Sequence, residues 1–240
     1  MPHTLFISDL HLSPERPRIN DTFFRFVRDT ASRADALHIL GDLFEVWVGD
    51  DDLADPFNAS IADALKALSG TGVAVYLMQG NRDVLLGEGF AAHCGATLLA
   101  DPTVLDLYGT RTLVMHGDTL CTDDVEYQNF RAYARDPANQ GRFLSQPLPE
   151  RRKQMIGMRA GSEMSKRGKA EEIMDVAPAA VEQVLRRHGY PRLIHGHTHR
   201  PARHVHTVDG RRCERWVLND WYQRGGCLRC DSGGCSVELL

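Results

Sequence analysis

No apolar run in this sequence approaches the ~20 residues that a membrane-spanning helix needs, so any membrane association is expected to be peripheral. A strand-like segment begins within four residues of Met1, which leaves no room for a signal peptide, and export is not expected. A positive charge balance is also missing, with 28 Lys and Arg against 32 Asp and Glu. Because proteins dedicated to nucleic acids usually have a basic face, the sequence predicts no nucleic-acid partner.

The sequence also lacks the second pair of a four-cysteine zinc motif. Of the six cysteines, Cys227 and Cys230 form one C-x2-C pair, with Cys213 and Cys235 nearby. A small thiolate zinc site formed by these four is one interpretation. We favour the other, in which all six are reduced thiols, because disulfides are rare in cytosolic proteins.

Strand-like and helix-like segments alternate along most of the chain, which predicts a layered α/β architecture in a single domain spanning residues 1–240. Apolar periodicity predicts helices over residues 20–31, 61–68 and 178–188, with Asn20 or Asp21 as the cap of the first. Strand-rich stretches at residues 204–208, 215–218 and 236–240 are expected to complete a second sheet.

Residues 124–170 interrupt this alternation. The segment has no strand signal, and Pro137, Pro147 and Pro149 divide it into two or three helices. From residue 142 to residue 169 it holds eight Lys and Arg against two acids. We interpret it as an inserted helical lid.

The composition of this lid has two interpretations. Its positive charge is suited to attract a diphosphate or an anionic membrane surface, and its apolar faces are suited to shelter acyl chains, together with Phe44, Val46 and Trp47. The alternative is that such helices simply pack on their own domain.

Five apolar, strand-like segments each end in a short cluster of metal-ligand side chains. The clusters are Asp9-Leu10-His11, Gly41-Asp42, Gly80-Asn81-Arg82-Asp83, His116-Gly117-Asp118 and His195-Gly196-His197-Thr198-His199. Reactive groups of α/β sheets gather at the carboxyl ends of strands, so we expect a single polar pocket. Each cluster alone has a plainer explanation as a turn, because Asn and Asp readily adopt turn geometry. Their joint occurrence, each at the end of a predicted strand, favours a metal site.

Carboxylate, amide and imidazole ligands without thiolates favour Mn²⁺, Fe²⁺ or Zn²⁺. The candidate ligands are Asp9, His11, Asp42, Asn81, His116, His195 and His197. Seven ligands exceed the needs of one ion, and two ions ~3.5–4 Å apart are the usual arrangement for in-line displacement at phosphorus. Asp42 is the natural bridging carboxylate, because Gly41 before it lets the backbone approach closely.

This motif series resembles the calcineurin-like metallophosphoesterases over about 190 residues. Longer strings, such as Gly41-Asp42-Leu43-Phe44-Glu45-Val46-Trp47, are similar to one branch of that family, the bacterial diphosphatases of lipid A synthesis. The resemblance implies a layered β-sandwich flanked by helices, with the inserted helical lid. It also implies two Mn²⁺ per subunit, the first held by Asp9, His11, Asp42 and His197 and the second by Asp42, Asn81, His116 and His195.

The same resemblance implies an activity. The expected reaction is hydrolysis of the diphosphate bond of UDP-2,3-diacylglucosamine to UMP and 2,3-diacylglucosamine 1-phosphate, by a hydroxide that bridges the two ions. The expected location is the cytoplasmic face of the bacterial inner membrane, as a peripheral protein. Catalytic roles fall on Asp42, Asn81, Arg82 and His116. Substrate contacts fall on Asn81, Arg82, Asp124, Ser162, Lys166, Lys169 and His195.

Arg82 occupies a position where many members of the family have a histidine that can protonate a leaving alkoxide. Arginine cannot act as an acid at neutral pH, but its paired donors bind phosphate oxygens. Because cleavage of a diphosphate releases a phosphate that is already a stable anion, Arg82 favours diphosphates over alkyl monoesters as substrates.

Two other functions fit the same motifs. A nuclease or nucleotide phosphodiesterase would use the same ions, but the acidic balance and the lack of an obvious aromatic and basic strand-binding groove argue against it. A non-catalytic scaffold that has lost its metals is disfavoured because all seven ligands are present.

Overall fold

The computed structural model of the chain describes residues 1–166 and 175–240, and the side chains of residues 1–159 and 175–240. The strands are β1 Thr4–Ile7, β2 Ala36–Leu40, β3 Ala74–Met78, β4 Thr97–Leu99, β5 Thr103–Leu107, β6 Thr110–Met115, β7 Arg192–His195, β8 Ala202–Val208, β9 Arg211–Val217, β10 Gly226–Asp231 and β11 Gly234–Leu239. The helices are α1 Pro17–Asp29, α2 Pro56–Gly70, α3 Glu88–Cys94, α4 Val125–Ala134, α5 Pro137–Leu144, α6 Leu148–Lys166 and α7 Pro178–Arg187.

The described strands form two sheets. The first has the order β11-β10-β1-β2-β3-β4, and the second has the order β5-β6-β7-β9-β8. In the first sheet β1 to β4 are parallel neighbours, and in the second β6, β7 and β9 are parallel. Parallel neighbours have their carboxyl ends at the same edge of a sheet, and reactive groups gather there.

Three apolar clusters hold the layers together. Phe23 and Phe90 bring helices α1 and α3 onto the outer face of the first sheet. Phe6 and Ile194 meet between the two sheets. Leu185 brings α7 onto the outer face of the second sheet. The predicted layered β-sandwich flanked by helices is therefore confirmed.

The first helix begins earlier than predicted. It starts at Pro17, where proline is suited to the first turn because its fixed φ is already helical and no backbone N–H is needed there. Asn20 lies inside the helix, and its side-chain amide donates to the carbonyl of Ser13 at 2.8 Å. The prediction of a cap at Asn20 or Asp21 is therefore wrong. Helix α7 lies where it was predicted, and α2 includes the predicted residues 61–68 but begins at Pro56.

The C-terminal strands divide between the two sheets. Strands β8 and β9 pair in the second sheet as predicted, but β10 and β11 form a hairpin that joins the first sheet. In this hairpin β10 runs antiparallel to β1, with Cys230 opposite Thr4. The prediction that residues 236–240 complete the second sheet is therefore wrong. The open edge of β1 supplies backbone partners that an isolated hairpin lacks.

The same hairpin carries a disulfide between Cys230 and Cys235, which face each other in the strand register. The prediction of six reduced thiols is therefore wrong for this pair. The other cysteines whose thiols are described are buried, with Cys213 under α7 and Cys227 in the cluster of the first sheet. Among the described residues these thiols do not form a metal-binding group, so the zinc interpretation has no support.

The described part of the predicted lid segment, residues 124–166, contains three helices, α4, α5 and α6. Arg151 of α6 is only 2% exposed, donates to the carbonyl of Val48 at 2.6 Å and pairs with Asp51. Arg152 pairs with Asp52 and lies 3.3 Å from Asp55. Two arginines of the lid thus form ion pairs with acidic residues of the body, which is the rest of the domain outside residues 124–170. Along the part of the chain that is described, no helix combines the length and apolar character needed to cross a bilayer.

His38 of β2 is buried between the two sheets, four residues before the predicted ligand Asp42. Its ring stacks on Phe6 and Tyr76 with centroids 4.8 and 4.5 Å away. Burial lowers the pKa of His38 from 6.5 to about 4. Between these values the unfolded chain binds a proton that the folded chain does not, so the free energy of unfolding should decrease by about 3 kcal/mol as the pH falls from 6.5 to below 4.

Replacement of His38 by phenylalanine keeps a ring in the stack and removes this titration. We expect the free energy of unfolding of His38→Phe to fall by about 2 kcal/mol less than that of the wild type between pH 7 and pH 4.5. Urea unfolding at the two pH values measures the difference. Equal decreases in the two proteins would contradict a neutral, buried His38.

Candidate metal centre

The loops that follow five strands meet at one edge of the two sheets. Asp9 and Asp42 follow neighbouring strands of the first sheet, and the N–H of His11 donates to the carbonyl of Asp42 at 2.9 Å. Contacts also cross between the sheets. The N–H of His197 donates to Oδ2 of Asp9 at 2.9 Å, and Nδ1 of His116 donates to the carbonyl of Leu40 at 2.9 Å. The structure therefore places the predicted clusters side by side.

The backbone of these loops adopts conformations that are rare outside glycine. Positive φ angles occur at Asp9, 54°, His11, 50°, Asp42, 55°, His197, 69°, and His199, 54°. Each such residue costs on the order of 1–3 kcal/mol, and such residues persist where the surrounding structure dictates them, often at active sites. The backbone alone thus indicates a functional site at this edge.

Two glycines allow the loops to approach one another. A Cβ on Gly80 would lie 2.1 Å from Oδ1 of Asp42, and a Cβ on Gly196 would lie 2.3 Å from Oδ2 of Asp9. Real Cβ atoms do not come so close to other heavy atoms. Glycine at these two positions is therefore a requirement of the packed carboxylates, in keeping with its use where backbone must approach closely.

Asp42 lies at the middle of the cluster. Its Oδ2 is 3.7 Å from Nε2 of His11, and its Oδ1 is 3.9 Å from Nε2 of His116. The backbone N–H of Arg82 donates to the same Oδ1 at 2.8 Å. A carboxylate with a histidine on each side is the arrangement that a bridging ligand requires.

Asn81 and His197 lie on the side of His116. The side-chain oxygen of Asn81 is 3.1 Å from Nε2 of His116 and 3.0 Å from Nδ1 of His197. The rings of His116 and His197 have centroids 5.0 Å apart. The structure thus groups His197 with Asn81 and His116, whereas the resemblance implied that it shares an ion with Asp9 and His11.

His199 takes the place beside Asp9 and His11. Its Nε2 lies 3.4 Å from Oδ1 of Asp9 and 3.4 Å from Nε2 of His11. The sequence prediction did not assign a role to this third histidine of the last cluster. His195, His197 and His199 follow one another with one residue between them, and this regular spacing is the sequence signal for His199.

His195 is the predicted ligand that the structure does not present to an ion. Its Nδ1 lies 2.9 Å from the carbonyl of Gly196, so Nδ1 carries the proton. Its Nε2 then accepts from Nη1 of Arg215 at 3.1 Å. Because both ring nitrogens are engaged, binding of an ion through His195 requires one of these contacts to open, and the ligand role stays a prediction.

Burial keeps most of these imidazoles neutral. It lowers the pKa of His11 to about 4, of His197 to about 4 and of His195 to about 3. His116 differs. Burial would lower its pKa as well, but the carboxylates of Asp42 and Asp118 raise it to about 9. Neutral imidazoles carry the lone pair that a metal ion needs, and a cation bound beside His116 would displace its second ring proton.

Two further carboxylates fix the loops. Asp83 accepts from the N–H groups of Gly80 at 2.7 Å and Leu43 at 2.7 Å, so it ties the loops after β2 and β3 together. Burial and then the charge of Asp42 raise the pKa of Asp83 to about 6.

Asp118 connects the metal centre to the lid in a similar way. Its Oδ2 accepts from the hydroxyl of Tyr127 at 2.8 Å and from Nε of Arg131 at 2.7 Å. Burial alone would raise the pKa of Asp118, but His116, His197 and Arg131 hold it well below its usual range. Helix α4 is thereby fastened to the loop that carries His116. This role of Arg131 was not predicted, because Arg131 lies 13 residues after Asp118 and belongs to none of the five motifs.

The predicted substrate contacts lie in several environments. Arg82 is 8% exposed, next to Asp42. Asp124 is the cap of α4, where its carboxylate accepts from the N–H of Tyr127 at 3.1 Å. Ser162 and Lys166 lie in the part of α6 whose side chains are not described, and Lys169 lies outside the described residues. These contacts stay predictions.

The aromatic residues after Asp42 do not line the site. Phe44 and Trp47 are both fully buried and stack on each other with centroids 4.7 Å apart. Phe90 of α3 closes this cluster, with centroids 5.5 and 5.0 Å from Phe44 and Trp47. The interpretation that Phe44 and Trp47 shelter acyl chains is therefore wrong, because their faces are occupied by the core of the first sheet.

The donor set fits divalent cations. Ligand atoms of Asp9, His11 and His199 lie within 4.8 Å of one another, and so do those of Asp9, Asp42 and His116. Oδ1 of Asp9 is buried and accepts no hydrogen bond. A buried carboxylate oxygen is costly unless a cation or donor faces it, so two ions at these two groups would satisfy it.

The sequence comparisons agree with this geometry. Residues 2–201 match the sequence profile of the calcineurin-like phosphoesterases. The chain therefore belongs to the calcineurin-like phosphoesterase family, and it is a metal-dependent hydrolase with a dimetal site.

The particular relatives are nearly full-length matches. The UDP-2,3-diacylglucosamine hydrolase of Stenotrophomonas maltophilia (strain K279a) is 53% identical over 99% of this chain and 98% of that relative. The UDP-2,3-diacylglucosamine hydrolase of Aromatoleum aromaticum is 54% identical over 98% of this chain and 96% of that relative. The crystal structure of a dimetal phosphatase from Danio rerio is similar with a TM-score of 0.51 at 12% identity, over 99% of this chain and 98% of that chain. At that identity the likeness indicates the fold alone.

Proposed function

We propose that the chain hydrolyses the diphosphate bond of UDP-2,3-diacylglucosamine, with Mn²⁺ as its ions, and releases UMP and 2,3-diacylglucosamine 1-phosphate. The names and near-complete coverage of the two bacterial relatives support this substrate. The observation that carries the chemistry is the carboxylate of Asp42, which lies between Nε2 of His11 and Nε2 of His116 at 3.7 and 3.9 Å. Asp42 is placed where it would be shared by two ions, and such a pair would suit in-line attack at phosphorus.

Two divalent cations, when bound, lower the pKa of a water molecule and neutralise charge on the phosphoryl oxygens. The chain supplies the remaining parts. Arg82 is held beside the centre through its own N–H, which donates to Asp42 at 2.8 Å, and its guanidinium neutralises charge that develops as the diphosphate is cleaved. The leaving phosphate is a stable anion, so no side chain has to protonate it. Asn81 contributes an oxygen without adding charge.

We place the attack of water at the phosphorus atom of the diphosphate that is next to the uridine. Hydrolysis in ¹⁸O-labelled water is then expected to put the label in UMP. Mass spectrometry of the two products measures the outcome. Label in 2,3-diacylglucosamine 1-phosphate would contradict this regiochemistry while leaving the metal-dependent hydrolysis intact.

The lid offers apolar side chains for the acyl groups. Val125 and Tyr133 of α4 are 64% and 58% exposed, and Ile156 of α6 is 64% exposed. We place the acyl chains of the substrate, and an anionic membrane surface, against these helices, with the protein at the cytoplasmic face of the inner membrane. Exposed apolar groups beside basic residues on amphipathic helices suit that location.

The substrate assay separates this function from that of a nuclease or nucleotide phosphodiesterase. Purified protein is tested with Mn²⁺ on UDP-2,3-diacylglucosamine, bis(p-nitrophenyl) phosphate and single-stranded DNA. We expect turnover of the lipid to exceed the others and to stop when the ions are chelated. Faster turnover of either phosphodiester would favour the alternative function.

A further inference from the structure

Glu45 connects the lid to the metal centre. It lies in the loop after Asp42, where its N–H donates to the carbonyl of Leu12 at 3.0 Å. Its Oε2 is 2.9 Å from Nδ1 of His11, and its Oε1 forms an ion pair with Arg159 of α6. One carboxylate thus touches both a predicted ion ligand and the lid.

The contact with Glu45 orients the ring of His11. The two atoms are close but do not have the angle of a hydrogen bond, so the attraction is electrostatic. A carboxylate beside Nδ1 favours the tautomer with the proton on Nδ1, and the lone pair of Nε2 then faces Asp42 at 3.7 Å. Tyr222 stacks on the His11 ring with centroids 5.2 Å apart and limits its rotation.

Arg159 makes this contact depend on the lid. It is one of three arginines through which α6 meets the body, and the other two, Arg151 and Arg152, end on the acidic turn Asp50–Ala54. Among these three, only the pair of Arg159 continues to a predicted ligand. The Glu45 side chain is 28% exposed and that of Arg159 is 13% exposed, so the pair is partly shielded from water and salt.

We propose that Glu45 is a positioning residue for His11, and that Arg159 couples the docking of α6 to the binding of divalent cations. This inference rests on the proposed dimetal function. Coupling is reciprocal, so if a docked α6 favours cation binding, bound cations stabilise the docked helix by the same factor. A lid that closes over an empty centre would therefore be held less firmly than one over a loaded centre.

The first test measures cation affinity without any substrate. Glu45→Gln keeps the shape of the side chain and removes its charge, and we expect the Kd for Mn²⁺, measured by electron paramagnetic resonance titration, to increase about 10–100-fold. Arg159→Gln tests the same link from the lid and should increase the Kd in the same direction. Arg152→Gln is the matched control, because it removes another arginine of α6 whose partners, Asp52 and Asp55, are not predicted ion ligands. Its Kd should stay within about twofold of the wild type.

The second test follows the lid itself. In the wild type, Mn²⁺ should slow amide hydrogen exchange in residues 148–159, and Arg152→Gln should retain this response. Glu45→Gln and Arg159→Gln should lose it. This readout does not depend on catalysis, and Arg159→Gln keeps the test decisive if Glu45→Gln fails to fold.

The measurements distinguish failure of this inference from failure of the proposed function. If the wild type binds Mn²⁺ while Glu45→Gln and Arg159→Gln bind it equally well, or if Mn²⁺ slows exchange to the same extent in all three, the inference is overturned and the proposed function remains. A wild-type protein that binds neither Mn²⁺ nor Fe²⁺ nor Zn²⁺ would instead contradict the proposed function.

Discussion

Replacement of Asp42 by alanine is expected to lower kcat/KM for UDP-2,3-diacylglucosamine by on the order of 10³-fold or more, the size of effect seen when a preorganised charge-stabilising group is removed. The reason is its central position, with His11 on one side and His116 on the other at 3.7 and 3.9 Å. Loss of this carboxylate removes a ligand that two ions would share. Steady-state assays with saturating Mn²⁺ measure the loss.

The matched variant is Asp42→Asn, which retains an oxygen that can accept the 2.8 Å bond from the N–H of Arg82. Its fold should be preserved, so its circular dichroism and its urea midpoint in chelator should resemble those of the wild type while its activity is lost. Asp63→Asn, a change at a surface carboxylate that is 66% exposed, should leave activity unchanged. Near-normal turnover by either Asp42 variant would contradict the bridging role.

Replacement of Arg82 by methionine is expected to lower kcat/KM for the diphosphate by about 10²–10³-fold. The side chain is 8% exposed beside Asp42, and methionine fills similar space without the charge that neutralises the transition state. The kcat/KM of Arg82→Lys should lie between those of the wild type and of Arg82→Met, because an ammonium retains the charge but lacks the paired donors of a guanidinium. Activity of Arg82→Lys as low as that of Arg82→Met would indicate that geometry alone matters.

Arg82→His tests the specificity argument separately. A histidine can protonate a departing alkoxide, which arginine cannot do at neutral pH. Relative to Arg82→Met, the histidine variant should gain activity on an unactivated nucleotide phosphodiester more than on bis(p-nitrophenyl) phosphate, whose leaving group needs no proton. Equal gains on both substrates would mean that the side chain does not act at the leaving group.

The positions of the site residues were predictable because their signals are local. A short apolar run followed by Asp9, Asp42 or Asn81 indicates a strand and the ligand after it, and parallel strands bring such ends together. The helix pattern of α7 and its terminal Gly189, with φ 77°, were equally local. For such features, a window of a few residues contains the physical cause.

The features that were not predicted from the sequence depend on contacts between residues that are far apart in the chain. The grouping of His197 with Asn81 and of His199 with Asp9 follows from the path of one loop after β7, which residue spacing does not specify. Burial of Trp47 follows from the ring of Phe90, far along the chain. Each of these contacts is decided by how the layers pack.

The hairpin of β10 and β11 has a consequence for the order in which the molecule assembles. Residue 4 pairs with residue 36 on one side of β1 and with residue 230 on the other, so the strand that leads into Asp9 gains its second neighbour only from the far end of the chain. During synthesis on the ribosome this strand therefore keeps an unpaired edge until the residues around 230 have been translated. Contacts of such long sequence separation form slowly, and an unpaired edge invites association with other nascent chains.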